Sequence, residues 1–165
     1  MPIKLKGIIY KSVIRPVLIY GSETWAVTKK HVSTIQVAEM KMLRWMCGVT
    51  RLDKIRNEYV RGSLGVRDVA DKIQEKRLRW YGHVKRRPPE YIGNATLNLD
   101  IPGQRRRGRP KLRWLSVVKK DMEICELKEE DVQDRAKWKK NIRKVDPVTR
   151  RDKRLEEEEE EYRWG

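Results

Sequence analysis

The chain has 165 residues and a formal net charge of +16 at pH 7, from 40 lysines and arginines against 24 aspartates and glutamates. Charged residues make up 39% of it and hydrophobic residues 38%, which suits small helical cores and excludes one large globule. So large a positive charge favours an anionic partner, with nucleic acid ahead of an anionic membrane surface.

The sequence predicts no metal site, cofactor site or catalytic centre. Cys47 and Cys125 form no Cys-x-x-Cys pair, and His31 and His83 stand far apart, so no zinc finger or knuckle can be written. No glycine-rich phosphate loop, nucleophile with a histidine base, or aspartate pair for two magnesium ions is found. The most apolar stretch, residues 8–20, is too short to cross a bilayer and is interrupted by charges. We expect an intracellular protein without a membrane partner, compatible with a nuclear location.

The first predicted helix covers residues 4–14 and ends or kinks at Pro16. Its apolar stripe, which we expect to be buried, consists of Leu5, Ile8, Ile9 and Val13. Its opposite side carries the cations Lys4, Lys6, Lys11 and Arg15. Residues 17–20 fit either a further helical turn or a short strand.

Three more helices are predicted before the Pro88-Pro89 pair. The first covers residues 31–47, with Gly48 as its C-terminal stop. A short helix over 54–61 is capped by Asp53 and has Ile55 and Tyr59 one turn apart. The third covers residues 69–85 and is capped by Asp68.

The triplet Leu-Arg-Trp occurs three times, at residues 43–45, 78–80 and 112–114. Because successive helical residues point about 100° apart, the tryptophan can face a core while the arginine faces solvent. Differing flanks favour independent amphipathic helices over an internal repeat. We predict core positions, rather than nucleobase stacking, for Trp45, Trp80, Trp114 and Trp138.

Further along the chain, residues 90–108 are predicted to be a loop, and helices are predicted over 110–125 and 129–145. The fold class is therefore all-α, with small helical bundles joined by a basic loop containing glycine and proline and followed by a charged tail. The predicted domains are a helical domain (1–87), a basic linker (88–109), a helical hairpin (110–147) and a tail (148–165) that is disordered or an exposed helix and holds Glu156–Glu161.

Two basic clusters are candidate nucleic-acid contacts. In residues 104–111, Arg-Gly-Arg-Pro resembles the core of an AT-hook, which would enter an A·T minor groove. Generic phosphate binding is the favoured alternative, and a solvated or import-like basic run is the third. The second cluster surrounds the helix over 69–85, where a solvated surface is the alternative. The predicted nucleic-acid-binding residues are Arg105, Arg106, Arg107, Arg109, Lys111, Arg113, Lys76, Arg77, Arg79, Lys85, Arg86, Arg87, Lys4, Lys11 and Arg15.

Five motifs in order carry a resemblance to a known family. They are Tyr-Gly-Ser-Glu-Thr-Trp (20–25), Met-Lys-Met-Leu-Arg-Trp (40–45), Arg-Leu-Arg-Trp-Tyr-Gly-His (77–83), Arg-Gly-Arg-Pro-Lys-Leu-Arg-Trp (107–114) and Asp-Arg-Ala-Lys-Trp (134–138). Residues 3–146 thereby resemble the C-terminal, thumb and post-thumb, region of reverse transcriptases from non-LTR (LINE-type) retrotransposons. The resemblance implies a thumb-like domain that holds a template–primer duplex and a basic region that engages template RNA or target DNA.

The Tyr-x-Asp-Asp motif of the polymerase palm is absent from the sequence, so the resemblance carries over no polymerase activity. We expect a detached C-terminal piece that binds RNA, DNA or a hybrid without catalysis. One alternative is a part of an RNA-directed DNA polymerase that is active only with a separate fingers–palm region. The other is a helical protein-interaction domain whose basic faces meet acidic partners.

Overall fold

The computed structural model describes residues 1–97, 99, 108 and 112–147, and every regular element in these residues is helical. The predicted all-α class is therefore confirmed. The α-helices are α1 (Ile3–Ile9), α2 (Arg15–Leu18), α3 (Lys29–Cys47), α4 (Asn57–Leu64), α5 (Val69–Lys85), α6 (Ile92–Leu97), α7 (Trp114–Ile124) and α8 (Arg135–Ile142). A π-helical segment (Tyr10–Ile14) joins α1 to α2, and a 3₁₀ turn (Glu129–Val132) precedes α8. Among the residues described, no helix is both long and apolar enough to cross a membrane.

The chain forms two compact units. The first contains residues 1–19, 33–71 and the described residues from 144 onward, and the second contains 20–32 and the described part of 72–143. These ranges differ from the contiguous domains predicted from the sequence. The reason is that Leu78 and Tyr81 of α5 share a core with side chains that follow the predicted linker.

The first unit is built on α1, α3 and α4. Its core consists of Tyr10, Met40, Leu43, Met46, Val60, Leu64 and Val66. Beside this core, the buried carboxylate of Glu39 accepts a hydrogen bond from the Tyr10 hydroxyl at 2.7 Å and pairs with Arg61 Nη2 at 2.8 Å. Burial, then the charge of Glu39, raises the pKa of Tyr10. The buried carboxylate of Glu39 thus has a hydroxyl and a guanidinium partner inside the unit, which offset part of the cost of burying it.

The N-terminal helix agrees with its prediction only in part. Of the alternatives for the residues after Pro16, the further helical turn is present, since α2 continues to Leu18. The π-helical segment ends two residues before this proline, which has no N–H to donate to the helix. The predicted buried stripe is wrong, since Leu5, Ile8 and Val13 are exposed. Gly7 and Tyr10 are buried in its place, and counting apolar side chains could not identify a glycine as the contact.

Local signals elsewhere in the first unit gave mixed results. Gly48 adopts a φ of +69° after α3, and Asp68 Oδ1 accepts from the N–H of Ala70 at the start of α5, so both predicted helix ends are confirmed. The predicted Asp53 cap is wrong, because its carboxylate accepts from the N–H and hydroxyl of Thr50 and α4 begins later. Ile55 packs against the core of the first unit, whereas Tyr59 is exposed.

In the second unit, residues 72–85 of α5 pack with α7 and α8. The core consists of Leu78, Tyr81, Val118, Met122, Leu127, Val132, Trp138 and Ile142. The indole N–H of Trp138 donates to the carbonyl oxygen of Leu78 at 3.1 Å. A Cβ on Gly82 would lie 2.4 Å from that indole nitrogen, so this glycine permits the close approach of α5 and Trp138.

Two predictions about the second unit are corrected. The predicted loop over 90–108 contains helix α6. The single helix predicted over 129–145 is divided into a 3₁₀ turn and α8. The division occurs because Asp134 Oδ1 accepts from the N–H groups of Ala136 and Lys137, which makes Asp134 the N-cap of a new helix.

Candidate nucleic-acid interface

Two of the four tryptophans predicted to be core are exposed. Trp138 is buried and Trp114 is half-buried, with its indole N–H donating to the carbonyl oxygen of Glu23 at 2.8 Å. Trp80 and Trp45 are 36% and 81% exposed, so the prediction is wrong for these two. In α5 the core positions are held by Leu78 and Tyr81, and helix geometry turns the two residues between them, Arg79 and Trp80, away from the core.

Trp80 lies on an outward face of α5 that also carries cations. Arg79, Trp80 and His83 are exposed on α5, where His83 lies three and four residues after the other two and so on the same side of the helix. Arg87 is exposed two residues beyond the end of the helix. The Trp80 and His83 rings are stacked, with centroids 5.7 Å apart and planes inclined by 21°. We call these four residues the α5 face.

The arginines of the α5 face are oriented by neighbours without being buried. Arg79 Nη2 pairs with Glu75 Oε1 at 2.5 Å, yet its side chain remains 68% exposed. The Arg87 guanidinium lies 5.8 Å from the centroid of the Tyr91 ring. Both guanidinium groups are therefore held in a restricted set of positions. Less side-chain conformational entropy is then lost when they bind a ligand.

A second group of cations adjoins the end of α5. Arg86 Nη1 donates to the carbonyl oxygen of Val132 at 2.8 Å, which holds this side chain against the segment that precedes α8. Burial, and secondly the charge of Arg135, lower the pKa of Arg86. Two guanidiniums close enough to affect each other raise the local positive potential, which a bound anion would relieve.

Sequence reasoning missed the cations of α8. Arg135, Lys137, Lys139 and Lys140 are exposed around the buried anchor Trp138. The signal was available, because basic residues flank this tryptophan as they flank the others.

Several predicted binding residues occupy other environments. Arg77 is buried, and its Nε lies 2.6 Å from Asp121 Oδ2. Lys76 pairs with Glu23 at 2.9 Å and lies over the Tyr20 ring, while half-buried Lys85 lies over the Tyr81 ring. Arg113 is exposed immediately before α7. The members of the basic loop, Arg105, Arg106, Arg107, Arg109 and Lys111, lie outside the described residues.

The predicted binding residues of the N-terminal helix belong to the first unit. Lys4 is exposed, Lys11 is half-buried, and Arg15 is buried with both terminal nitrogens donating to Asp146 at 2.9 and 2.7 Å. Arg15 and Arg77 therefore have structural ion pairs, and we leave both out of the candidate interface. Binding of nucleic acid by the other residues stays a prediction.

The described ranges contain no group of three or more His, Cys, Asp or Glu side chains that could hold a metal ion. The carboxylates nearest the α5 face act on neighbouring cations. Glu75 is one such carboxylate, since it pairs with Lys72 at 3.0 Å as well as with Arg79. What the arrangement offers chemically is positive charge and an exposed aromatic surface.

Comparison with known proteins gives one informative similarity. No protein-family model matches the chain, and no solved structure matches it. A Caenorhabditis elegans protein named as transposon-derived is 26% identical over 153 residues, covering 86% of this chain. The chain spans 55% of the length of that relative. The chain is thus distantly related to a transposon-derived protein.

Proposed function

We propose that this chain is a non-catalytic nucleic-acid-binding fragment, and that cationic side chains of its second unit bind the phosphate backbone. The observation that carries the proposal is the position of Arg79 and Arg87 on the exposed α5 face, beside the Arg86–Arg135 pair. Arginines presented on a helix are suited to phosphate because each guanidinium can donate two parallel hydrogen bonds. The overall charge of +16 supplies a long-range attraction to the same class of ligand.

The distant relation to a transposon-derived protein supports a more specific proposal. Together with the five sequence motifs, it favours descent from the C-terminal region of a retrotransposon reverse transcriptase. The ligand would then be template RNA, target DNA or their hybrid. Since phosphate contacts alone do not discriminate among these, the proposal covers all three.

A salt-titrated binding series tests the proposal. We would measure fluorescence anisotropy of labelled 20-nucleotide duplexes and single strands with the full chain between about 50 and 300 mM salt. If about five to eight phosphates are neutralised, the logarithm of the affinity falls with that of the salt concentration with a slope of about −4 to −7. A flat salt dependence, or no binding at low salt, would refute the proposal.

A pair of charge-matched variants locates the contact. R79Q/R87Q/R135Q removes three exposed cations of the second unit, and we expect the slope to become shallower by about 2 to 3. The control K41Q/R51Q/R56Q removes three exposed cations of the first unit and should change the slope by less than about 1. Equal effects of both variants would mean that binding follows net charge and not the proposed surface.

A further inference from the structure

We infer that the Trp80–His83 pair is a stacking platform for an unpaired nucleobase, and that the second unit therefore prefers single-stranded nucleic acid. This inference rests on the proposed function and specifies its ligand. The observation behind it is an indole, 36% exposed, that lies nearly parallel to an exposed imidazole on a cationic helix face. Base–aromatic stacking accepts every base because each has a π-face.

The charges around the platform match a strand that crosses it. Arg79 adjoins Trp80 in α5, and Arg87 follows His83 just beyond the end of the helix, so the two arginines flank the aromatic pair in the sequence. The two guanidiniums can therefore contact phosphates on either side of a base that stacks on the rings.

Duplex nucleic acid cannot use this platform in the same way. Its bases are already stacked on each other, and unstacking one costs a few kcal/mol. A duplex can still contact the arginines through its phosphates. We therefore expect the arginines to contact the phosphates of both ligands, and the aromatic pair to stack only with bases of the single strand.

The test compares single-strand and duplex affinity in matched aromatic variants of the full chain. The probes are labelled deoxythymidine and uridine 20-mers and a 20-base-pair DNA duplex, at one salt concentration. W80A should weaken binding of the 20-mers by about five- to 150-fold, the usual range for loss of one stacked base. Duplex affinity should change less than about twofold. W80F, which keeps a π surface, should restore most of the single-strand affinity.

The control is W45A, which removes a more exposed tryptophan from the first unit. It should leave both affinities unchanged. H83A provides a second variant that keeps Trp80, and we expect it to weaken single-strand binding by a smaller factor. Circular dichroism of each variant checks that the helix content of the whole chain is unchanged.

The outcomes separate this inference from the proposed function. Salt-dependent binding that W80A leaves unchanged, or weakens equally for duplex and single strand, overturns the platform and leaves the phosphate-binding proposal standing. If R79Q/R87Q/R135Q loses both duplex and single-strand binding while W80A has no selective effect, the platform is likewise overturned and the phosphate-binding proposal stands. If the unaltered chain binds neither probe, the proposed function fails first. A selective effect on uridine but not deoxythymidine 20-mers supports a platform for RNA.

Discussion

Replacement of Gly7 by alanine tests the packing of α1 on α4. A Cβ at Gly7 would lie 2.1 Å from the carbonyl oxygen of Leu64 and 3.1 Å from its carbonyl carbon. Both are backbone atoms, so no side-chain rotation can relieve the contact. The two helices would have to separate by about 1 Å or more to reach ordinary van der Waals distance.

Separating α1 from α4 would disturb a well-packed core. Tyr10 and Leu64 are 0% and 2% exposed, and overpacking of such a core typically costs about 1–3 kcal/mol. The backbone clash places G7A near the upper end of that range. Alanine recovers about 1 kcal/mol of helix propensity relative to glycine. We therefore expect G7A to lower the free energy of unfolding by about 2 kcal/mol.

Gly62 offers a matched control in the same unit. It lies within α4, and no atom would come within 4 Å of an added Cβ. G62A should raise the free energy of unfolding by about 0.5–1 kcal/mol through helix propensity alone. Urea unfolding followed by circular dichroism gives the difference between the variants, and amide exchange in α3 and α4 reports the first unit separately. A G7A variant as stable as G62A would refute the proposed close contact.

The remaining predictions concern buried polar groups of the second unit. R77M leaves the carboxylate of Asp121, which is 7% exposed, without its ion-pair partner, and should lower the free energy of unfolding by about 3–5 kcal/mol. R77M/D121L should recover most of this loss in thermal unfolding, and a double variant no more stable than R77M would contradict the argument. Burial, then Glu129, raises the pKa of Tyr81 from 10.0 to about 12. The pKa of Tyr81 is thus higher in the folded protein than in the unfolded one. The stability that this difference contributes is therefore complete below pH 10 and is lost as the pH rises toward 12. The urea midpoint of Y81F should fall less steeply over that interval, and an identical decline would show that Tyr81 is not responsible.

The helical class and some of the helix ends followed from local signals in the sequence. The helix predicted from Val69 to about Lys85 matches α5, because Asp68 caps its start and a proline pair follows its end. Such signals act within one turn of the chain and need no knowledge of tertiary structure. They failed at Asp53, where the same carboxylate served a preceding turn instead of the next helix.

Burial could be predicted less well, since it depends on partners that are distant in sequence. Arg77 and Arg15 look like surface cations in the sequence, yet Asp121 and Asp146 bring both into buried ion pairs. Their partners lie 44 and 131 residues away. No local pattern distinguishes an arginine that forms an ion pair with a residue distant in sequence from one that faces solvent, as Arg79 does. The sequence thus indicated that α5 carries exposed cations, Arg79 among them, but could not separate these from arginines that form buried ion pairs.

The three Leu-Arg-Trp triplets show how tertiary contacts decide which side chain is left for a ligand. Leucine and tryptophan in the triplet are two positions apart, about 200° around a helix, so one helix face cannot bury both. In the first two triplets the leucine is buried, at Leu43 and Leu78, and the tryptophan is exposed. In the third, Leu112 is exposed and Trp114 is half-buried. Leaving an indole partly in water forgoes hydrophobic stabilisation that the fold could otherwise use. At Trp80 that loss occurs beside an arginine and a stacked histidine, and this combination is the one on which the proposed stacking of a nucleobase rests.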